Sequence, residues 1–115
     1  MLTDADIEAV YIAVPNFLHN NFAMAALEAG KNVIVEKPMA SNAREAVELE
    51  TPAKKKNLYL FEAISTLYLP NFLKTKEWLS MVGDIKIVSC NFSQYSRRYD
   101  AFRSGETLSA FDPRK

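Results

Sequence analysis

Glycine is scarce in this sequence of 115 residues: only Gly30, Gly83 and Gly105 occur, and they lie far apart. A G-x-G-x-x-G turn or a Walker loop needs several glycines within a few residues, so neither phosphate-binding motif is present. The single cysteine, Cys90, excludes an internal disulfide, and with a single histidine, His19, there is no zinc site of Cys/His type. One free thiol is typical of a reducing compartment, and we expect the protein to be cytoplasmic.

Neither sign of charge is in excess, since 14 lysines and arginines balance 14 aspartates and glutamates. A balanced charge gives no electrostatic reason to expect nucleic acid or an anionic membrane as a partner. No apolar run approaches the roughly 18 residues that span a bilayer. The acidic residues 1–8 are not typical of a signal peptide. We therefore expect neither nucleic acid nor a membrane among the partners.

Apolar residues make up 49% of the chain, which is enough for a packed core. Continuous apolar runs, typical of strands buried in a parallel sheet, alternate with helical patterns. Strands are predicted at Ala9–Val14, Asn32–Val35 and Leu58–Phe61. The β-α-β-α-β order predicts that these strands are adjacent and parallel, with both intervening helices on one face, as in part of a doubly wound α/β sheet.

Two helices are predicted between the strands. The first covers Phe22–Ala29 after a polar turn, and Gly30 stands where a C-terminal cap is expected. The second begins at a capping residue, Ser41 or Asn42. We expect Pro52 to break or kink this second helix, because proline inside a helix costs about 3 kcal/mol or more.

The pattern changes after the third predicted strand. Pro70–Leu79 has the spacing of an amphipathic helix, and Ile85–Tyr95 alternates between apolar and polar residues as in a half-solvated antiparallel strand. The sequence therefore predicts two domains. Residues 1–62 form the last part of a doubly wound parallel sheet, and residues 63–115 begin an α+β domain with an antiparallel sheet.

Two motifs carry a family resemblance: P-N-x-x-H at residues 15–19 and A-G-K-x-V-x-x-E-K-P at residues 29–38. They resemble the Gfo/Idh/MocA family of NAD(P)-dependent oxidoreductases. F-E-A at residues 61–63, followed by Pro70, is similar to the branch of this family that resembles dihydrodiol dehydrogenase. The resemblance covers essentially the whole chain.

The resemblance also has departures. The family begins with a strand and a glycine-rich turn that holds the cofactor pyrophosphate, and nothing like it precedes Asp4. Leu67 stands where many relatives have an arginine, and Pro52 interrupts a helix that is usually unbroken. The resemblance therefore implies that residues 1–62 are a partial Rossmann domain without the glycine-rich loop. Residues 63–115 would begin the substrate and oligomerisation domain of a homo-oligomer.

The implied activity is hydride transfer between NAD or NADP and a hydroxyl-bearing, sugar- or polyol-like substrate. Such a reaction must also move the hydroxyl proton, and Lys37 is the candidate acid/base, because the carboxyl end of a parallel strand is where ligands bind in open α/β sheets. A solvated lysine in an ordinary strand-end turn is the alternative. From the resemblance we also predict a cis Lys37–Pro38 peptide bond.

The resemblance implies further residues on the cofactor side, none of them a metal ligand: Ala13, Pro15, Asn16, His19, Glu36, Pro38 and Glu62. Each also has a purely structural alternative. Glu36 could pair with Lys31 or Lys37, His19 could cap a helix or pack inside, and Glu62 could be an ordinary loop charge. His19 has no partner ligands with which to bind zinc.

A second hypothesis is a chain that folds or self-associates without turnover. Without a pyrophosphate site the cofactor loses its main anion-binding anchor, and an incomplete sheet leaves an unpaired edge. We therefore expect the isolated 115 residues to be inactive and not to bind NAD(P) measurably, even though the sequence has the character of an enzyme segment.

Overall fold

The computed structural model describes residues 1–107, which divide into two compact units, residues 1–65 and a second unit that begins at Thr66. The first unit alternates strands and helices: β1 Ala9–Ile12, α1 His19–Glu28, β2 Asn32–Val35, α2 Ala43–Lys55 and β3 Leu60–Glu62. The second contains α3 Pro70–Trp78 and α4 Tyr99–Arg103. Short 3-10 turns lie at Asn16–Leu18, Ser65–Tyr68 and Leu79–Met81.

The three strands form one parallel sheet in the order β1-β2-β3, which confirms the predicted arrangement. Ile12 lies opposite Val35, and Val35 lies opposite Glu62. At the amino ends of the strands, the Asn32 side chain donates to the Glu8 carbonyl and accepts from the Tyr59 amide, at 3.0 and 2.9 Å. The Asn32 side chain therefore links the amino ends of all three strands.

The core lies on one face of the sheet and contains residues of both helices, as the sequence predicted. Buried side chains come from the strands and from α1 and α2: Ile12, Val33, Val35, Ala23, Ala26, Leu27, Leu49 and Ala53. The opposite face carries Tyr11, Ile34 and Phe61, which are all exposed. Alternation of side chains along each strand separates the two sets.

Both helices of the first unit end in the same way. After α1, the Gly30 amide bonds to the Leu27 carbonyl at 3.0 Å and the Lys31 amide bonds to the Ala26 carbonyl at 3.0 Å, with Gly30 at φ +77°. This pair of bonds is the Schellman motif, which requires a residue in the left-handed region and therefore favours glycine. The predicted glycine cap is confirmed, and Asn57, at φ +52°, follows α2 in the corresponding position.

Helix α1 differs from its predicted extent because it begins at His19 rather than at Phe22. The side chains that the helix buries are consequently His19, Ala23, Ala26 and Leu27, while Phe22 is exposed. The polar residues Asn20 and Asn21, which predicted a turn, lie on the first turn of the helix instead.

Of the break or kink predicted at Pro52, the break is wrong, because α2 continues through this residue to Lys55. Pro52 lies in the last turn, so few helical bonds follow it, and its own carbonyl still accepts from the Lys56 amide at 3.0 Å. Leu49 and Ala53 on either side are buried in the core. Packing against the sheet therefore holds the segment helical despite the missing amide proton.

Within residues 1–107 the segment Ile85–Tyr95 pairs with no other strand, so the antiparallel strand predicted there stays a prediction. A strand needs a neighbouring backbone to complete its hydrogen bonds, and the described part of the second unit offers none. Its large apolar side chains are exposed, with Ile87 at 87% and Phe92 at 90%. The rest of the predicted second domain, residues 108–115, lies outside the described residues.

None of the helices within residues 1–107 has both the length and the apolar character required to cross a membrane.

Candidate functional site

The sheet brings three predicted site segments to one edge. Residues 13–16 follow β1, Glu36–Pro38 follow β2, and Glu62 is the last residue of β3. Because parallel strands point the same way, their carboxyl ends meet at the same edge of the sheet. The amide of Glu36 donates to the Ile12 carbonyl and the amide of Ala63 to the Val35 carbonyl, both at 2.8 Å, so the alignment holds up to the strand ends.

Lys37 leaves the end of the central strand and is exposed. The Lys37–Pro38 peptide bond is cis, as predicted. Within residues 1–107 no hydrogen bond or salt bridge engages the Lys37 side chain, although Glu36 lies close enough to feel its charge. A lysine side chain without a fixed partner at this position is open to a ligand.

Glu36, beside Lys37, is held by two donors. The Tyr11 hydroxyl donates a short hydrogen bond to Oε1, and the Lys37 amide donates to Oε2 at 3.2 Å. The hydrogen bond from Tyr11, and after it the one from the Lys37 amide, lowers the pKa of Glu36; burial opposes them, and the charge of Lys37 lowers the pKa by a smaller amount. The same bond to Glu36 raises the pKa of Tyr11. The carboxylate is therefore ionised and fixed in direction.

Tyr11 was not among the predicted site residues, although a signal for it exists in the sequence. Tyr11 lies opposite Ile34, and Glu36 follows Ile34 by two positions on the same side of β2. Diagonal pairs of this kind lie within reach of aromatic and long side chains. Strand alternation combined with a parallel register therefore points to the Tyr11–Glu36 pair.

His19, the first residue of α1, is fully buried. Its Nδ1 lies 2.7 Å from the Pro38 carbonyl oxygen and its Nε2 lies 2.9 Å from the Val14 carbonyl oxygen. Because a carbonyl oxygen only accepts, each contact is a hydrogen bond only when that ring nitrogen carries a proton, so the ring bonds to the loops after β1 and β2 at the same time only when both nitrogens are protonated. Both ring nitrogens face the protein, so the structure places His19 behind these loops and away from solvent.

Glu62 contacts the loop after β2 from the other side, where its Oε1 accepts from the Met39 amide at 2.8 Å. This amide belongs to the same peptide group as the Pro38 carbonyl that His19 contacts. The peptide group between Pro38 and Met39, just after Lys37, is thus held at both of its polar ends.

The remaining predicted residues, Ala13, Pro15 and Asn16, are exposed in the loop after β1. Pro15 precedes the 3-10 turn of Asn16–Leu18, and its carbonyl accepts from the Leu18 amide at 2.9 Å. The 3-10 turn fixes the loop after β1 next to the loop after β2, and His19 contacts both loops. The structure therefore gathers the predicted residues at one edge, with Lys37 and Glu36 at its centre.

Residues 1–107 contain no group of three or more His, Cys, Asp or Glu side chains placed to hold a metal ion. A groove of about 420 Å³ beside α2 and β3 is lined mainly by apolar side chains. None of the predicted site residues lines this groove, which runs along Met39, Ala46, Val47, Glu50, Ala53, Lys54, Leu58 and Leu60.

A parallel β-α-β-α-β unit with polar residues gathered at its strand ends defines a dinucleotide-binding type of α/β protein. The chain belongs to the Gfo/Idh/MocA oxidoreductase family with an NAD-binding Rossmann fold, whose model matches residues 1–64. The family expected from the two sequence motifs is therefore confirmed.

Two of the curated relatives are sugar or polyol dehydrogenases by name. The chain is 46% identical over 106 residues to the scyllo-inositol 2-dehydrogenase (NADP(+)) IolU of Bacillus subtilis, covering 92% of this chain and 32% of that one. It is 40% identical over 88 residues to the D-xylose 1-dehydrogenase (NADP(+)) of Hypocrea jecorina, covering 76% and 22%. The chain spans about a third or less of the length of these relatives.

Solved structures show the same relationship. A 3-ketoreductase from Actinomadura kijaniata, in complex with NADP and TDP-benzene, is 32% identical with a TM-score of 0.66, covering 70% of this chain and 25% of that one. An NAD binding oxidoreductase from Klebsiella pneumoniae is 34% identical with a TM-score of 0.64, covering 70% and 21%. The chain thus shares its fold with enzymes that use nicotinamide cofactors.

Proposed function

We propose that this chain is the segment of an NAD(P)-dependent oxidoreductase that supplies the acid/base group for hydride transfer at a carbinol carbon. The observation that carries the proposal is the exposed Lys37 side chain, unpaired within residues 1–107, at the carboxyl end of the central strand. Glu36 beside it is a fixed carboxylate, and the backbone that follows is held from two sides. An ordinary strand-end lysine needs none of these supports.

The residues present fit the nicotinamide end of a dinucleotide and not its pyrophosphate. Exposed small or polar residues at the strand ends, with the Glu36 carboxylate, offer a flat surface and an acceptor for ribose or carboxamide donors. The chain offers no glycine-rich turn for phosphate. We assign the cofactor-side contacts to Ala13, Pro15, Asn16, Glu36 and Pro38.

Lys37 moves the proton in this mechanism. When bound, NAD or NADP supplies the hydride acceptor. As the carbinol is oxidised, the unprotonated amine of Lys37 would take the proton from the substrate hydroxyl, and the hydride of the carbinol carbon would pass to the bound oxidised cofactor as the carbonyl forms. In the reverse direction Lys37 returns that proton to the oxygen. Glu36 keeps its negative charge and holds its position through the Tyr11 hydroxyl.

The names of the relatives support a substrate with several hydroxyl groups. They specify scyllo-inositol and D-xylose, and a third relative, from Xenopus tropicalis, is a trans-1,2-dihydrobenzene-1,2-diol dehydrogenase that is 33% identical over 91 residues. We therefore propose a sugar- or polyol-like substrate. Two of these names specify NADP(+), whereas the family description specifies NAD, so the proposal includes both cofactors.

The second unit has a separate proposed role. We assign residues 63–115 to the beginning of a substrate and oligomerisation domain, in a homo-oligomer. Support comes from the exposed Ile85, Ile87, Val88 and Phe92, in a segment with the alternation of a strand. Such a segment becomes a strand once a neighbouring backbone pairs with it. The single free thiol, Cys90, fits a reducing cytoplasm.

The proposal is tested in the complete enzyme that carries this segment. Lys37→Ala should lower kcat by about 10²–10⁴-fold with little change in the Kd of the cofactor, because a general acid/base acts chiefly in the transition state. Glu36→Ala should instead weaken cofactor binding, since its contacts exist in the ground state. Steady-state kinetics and a fluorescence titration with NADPH and NADH measure both quantities.

The matched control is Lys55→Ala, which removes an exposed lysine from the end of α2. This variant should keep both kcat and Kd. If Lys37→Ala retained full turnover, Lys37 would be an ordinary surface lysine and the proposal would be wrong.

A second candidate function is association without turnover. The observation in its favour is the sheet itself, in which β1 and β3 each pair only with β2 among the described residues. The face opposite the helices also exposes Tyr11, Ile34 and Phe61. Open edges and an apolar face favour contact with further chains. Sedimentation of the isolated chain, described with its cofactor titration in the Discussion, tests for such association.

A further inference from the structure

The peptide group between Pro38 and Met39 is held at both polar ends by side chains. Its carbonyl oxygen lies 2.7 Å from His19 Nδ1, on the first turn of α1. Its N–H donates to Glu62 Oε1 at 2.8 Å, at the end of β3. The two side chains approach from 19 residues before Pro38 and 23 residues after Met39. Elements on both sides of β2 therefore converge on one peptide plane.

We propose that His19 and Glu62 are a pair of positioning residues that grip the Pro38–Met39 peptide group and thereby fix the direction in which Lys37 leaves the sheet. Neither acts by touching the cofactor, and this reassigns the role that the family resemblance implied for them. The consequence for turnover rests on the proposed function of Lys37. The two contacts that His19 and Glu62 make with this peptide group, which we call the grip, do not depend on that function.

The burial of His19 is what makes it a rigid support. It is 0% exposed, and its second nitrogen lies 2.9 Å from the Val14 carbonyl oxygen. It lies one and two turns before Ala23 and Leu27, which are fully buried in the core. A side chain fixed in this way cannot swing with the loop, so it transfers the position of α1 to the Pro38 carbonyl.

Glu62 provides the opposing contact. A hydrogen bond to an ionised acceptor is stronger than one between neutral groups. A peptide group that donates at one end and accepts at the other is polarised, which strengthens both bonds. The two contacts therefore support each other, and loss of either one should loosen the loop more than its own bond would suggest.

Without the grip, the segment after Lys37 would be held mainly by local contacts. Glu36 Oε2 accepts from the Lys37 amide at 3.2 Å, but that contact joins neighbouring residues. It cannot fix the segment relative to the neighbouring strands. His19 and Glu62 supply the long-range contacts that do so.

The first test uses the chain itself and NMR. Because a carbonyl oxygen only accepts, the grip requires a proton on His19 Nδ1. His19 is the single histidine, so its ring ¹⁵N signals are unambiguous. We expect Nδ1 to carry a proton in the folded chain. A neutral ring protonated only at Nε2 would overturn the proposal.

The second test is amide hydrogen exchange at Met39. Glu62→Leu removes the acceptor, and the Met39 amide should then exchange about tenfold faster or more. Glu62→Gln keeps an acceptor oxygen and should restore most of the protection. The amide of Ala63, bonded to Val35, should change by less than about threefold. Equal acceleration at Met39 and Ala63, or none at Met39, would overturn the grip.

A matched control breaks side chain to backbone bonds elsewhere. Lys56 Nζ donates to the Leu27 and Glu28 carbonyls at 3.1 and 2.6 Å, at the end of α1. Lys56→Met should leave the exchange of the Met39 amide unchanged. Should Glu62→Leu fail to fold, Glu62→Ser is the replacement, because its hydroxyl is too short to reach the Met39 amide.

The third test measures the consequence in the complete enzyme. Glu62→Leu should lower kcat by about tenfold or more, with the KM of the cofactor nearly unchanged, because a small misplacement of a catalytic group is costly. Glu62→Gln should recover most of the turnover. If Lys37→Ala abolished turnover but Glu62→Leu did not lower it, the positioning role would be wrong. If Lys37→Ala itself had no effect, the proposed function would fail, while the NMR tests would still decide the grip.

Discussion

At the scale of single residues, the link between Tyr11 and Glu36 sets the charge of the site. The hydrogen bond from Tyr11 is the largest cause of the lowered pKa of Glu36. A carboxyl whose pKa is lowered by folding contributes stability at pH values above its ordinary range, and this contribution is lost as the pH falls through the lowered value. Glu36 therefore remains ionised in weak acid, where an isolated glutamate begins to take up its proton.

Tyr11→Phe should raise the pKa of Glu36 towards its ordinary range, because the largest cause of the shift is removed. An NMR titration of the Glu36 side-chain carboxyl carbon measures this directly. The matched control is Tyr59→Phe, on the same exposed face of the sheet. Within residues 1–107 the Tyr59 hydroxyl makes no hydrogen bond, so its loss should leave the Glu36 titration unchanged. An equal shift in both variants would contradict a specific role for Tyr11.

The site could be predicted only in part from the sequence, for a physical reason. Lys37 and Glu36 are recognisable because they are neighbours within one motif. The contacts of His19 and Glu62 are not, because their partners are backbone atoms. A backbone carbonyl has no residue identity, so nothing in the sequence marks Pro38 or Met39 as the atoms being held.

At the scale of elements, strand identity was predictable, while strand length was not. Apolar runs identified all three strands, but β1 ends at Ile12 rather than at Val14, and β3 begins at Leu60 rather than at Leu58. The Leu58 amide is used by the end of α2, where it bonds to the Ala53 carbonyl at 2.8 Å. A run of apolar residues does not show where a helix cap ends and the hydrogen bonds of a strand begin.

Helix α2 depends on its buried side. Leu49 is 0% exposed, and Leu49→Ala should lower the free energy of unfolding by about 2–5 kcal/mol through lost burial and a residual cavity. Val47 lies on the same helix but is 60% exposed. Val47→Ala should change that free energy by less than about 0.5 kcal/mol.

Chemical denaturation monitored by circular dichroism compares the two variants. Both variants introduce alanine, the best helix former, so a loss of stability reports lost burial rather than lower helix propensity. Similar destabilisation by Leu49→Ala and Val47→Ala would mean that α2 does not pack on the sheet as described.

At the scale of the whole molecule, the chain contains the contacts that support the site but no glycine-rich turn for the cofactor pyrophosphate. The contacts that fix the Lys37 loop come from within residues 11–62. No two glycines of the chain lie close enough together for a pyrophosphate turn. Such a turn, at the start of a helix, is the main anchor of a dinucleotide in this type of fold.

The isolated 115-residue chain should therefore not bind NADH or NADPH measurably. Titration of the chain, followed by nicotinamide fluorescence, tests this, with the complete enzyme as the positive control. Micromolar binding by the isolated chain would show that a glycine-rich turn is dispensable here. Concentration-dependent sedimentation without cofactor binding would instead favour association of the isolated chain.

The short stretch that contains every support of Lys37 has an evolutionary consequence. The stretch of residues 11–62 takes up fewer than half of the codons of this chain. It contains all four supporting residues, which can therefore be inherited together: Tyr11, His19, Glu36 and Glu62. If residues 63–115 begin a substrate domain, as proposed, mutations after Thr66 leave that stretch untouched and alter what that domain recognises. Selection for a new substrate and selection for efficient proton transfer then act on different stretches of the gene, so a lineage can change one without losing the other.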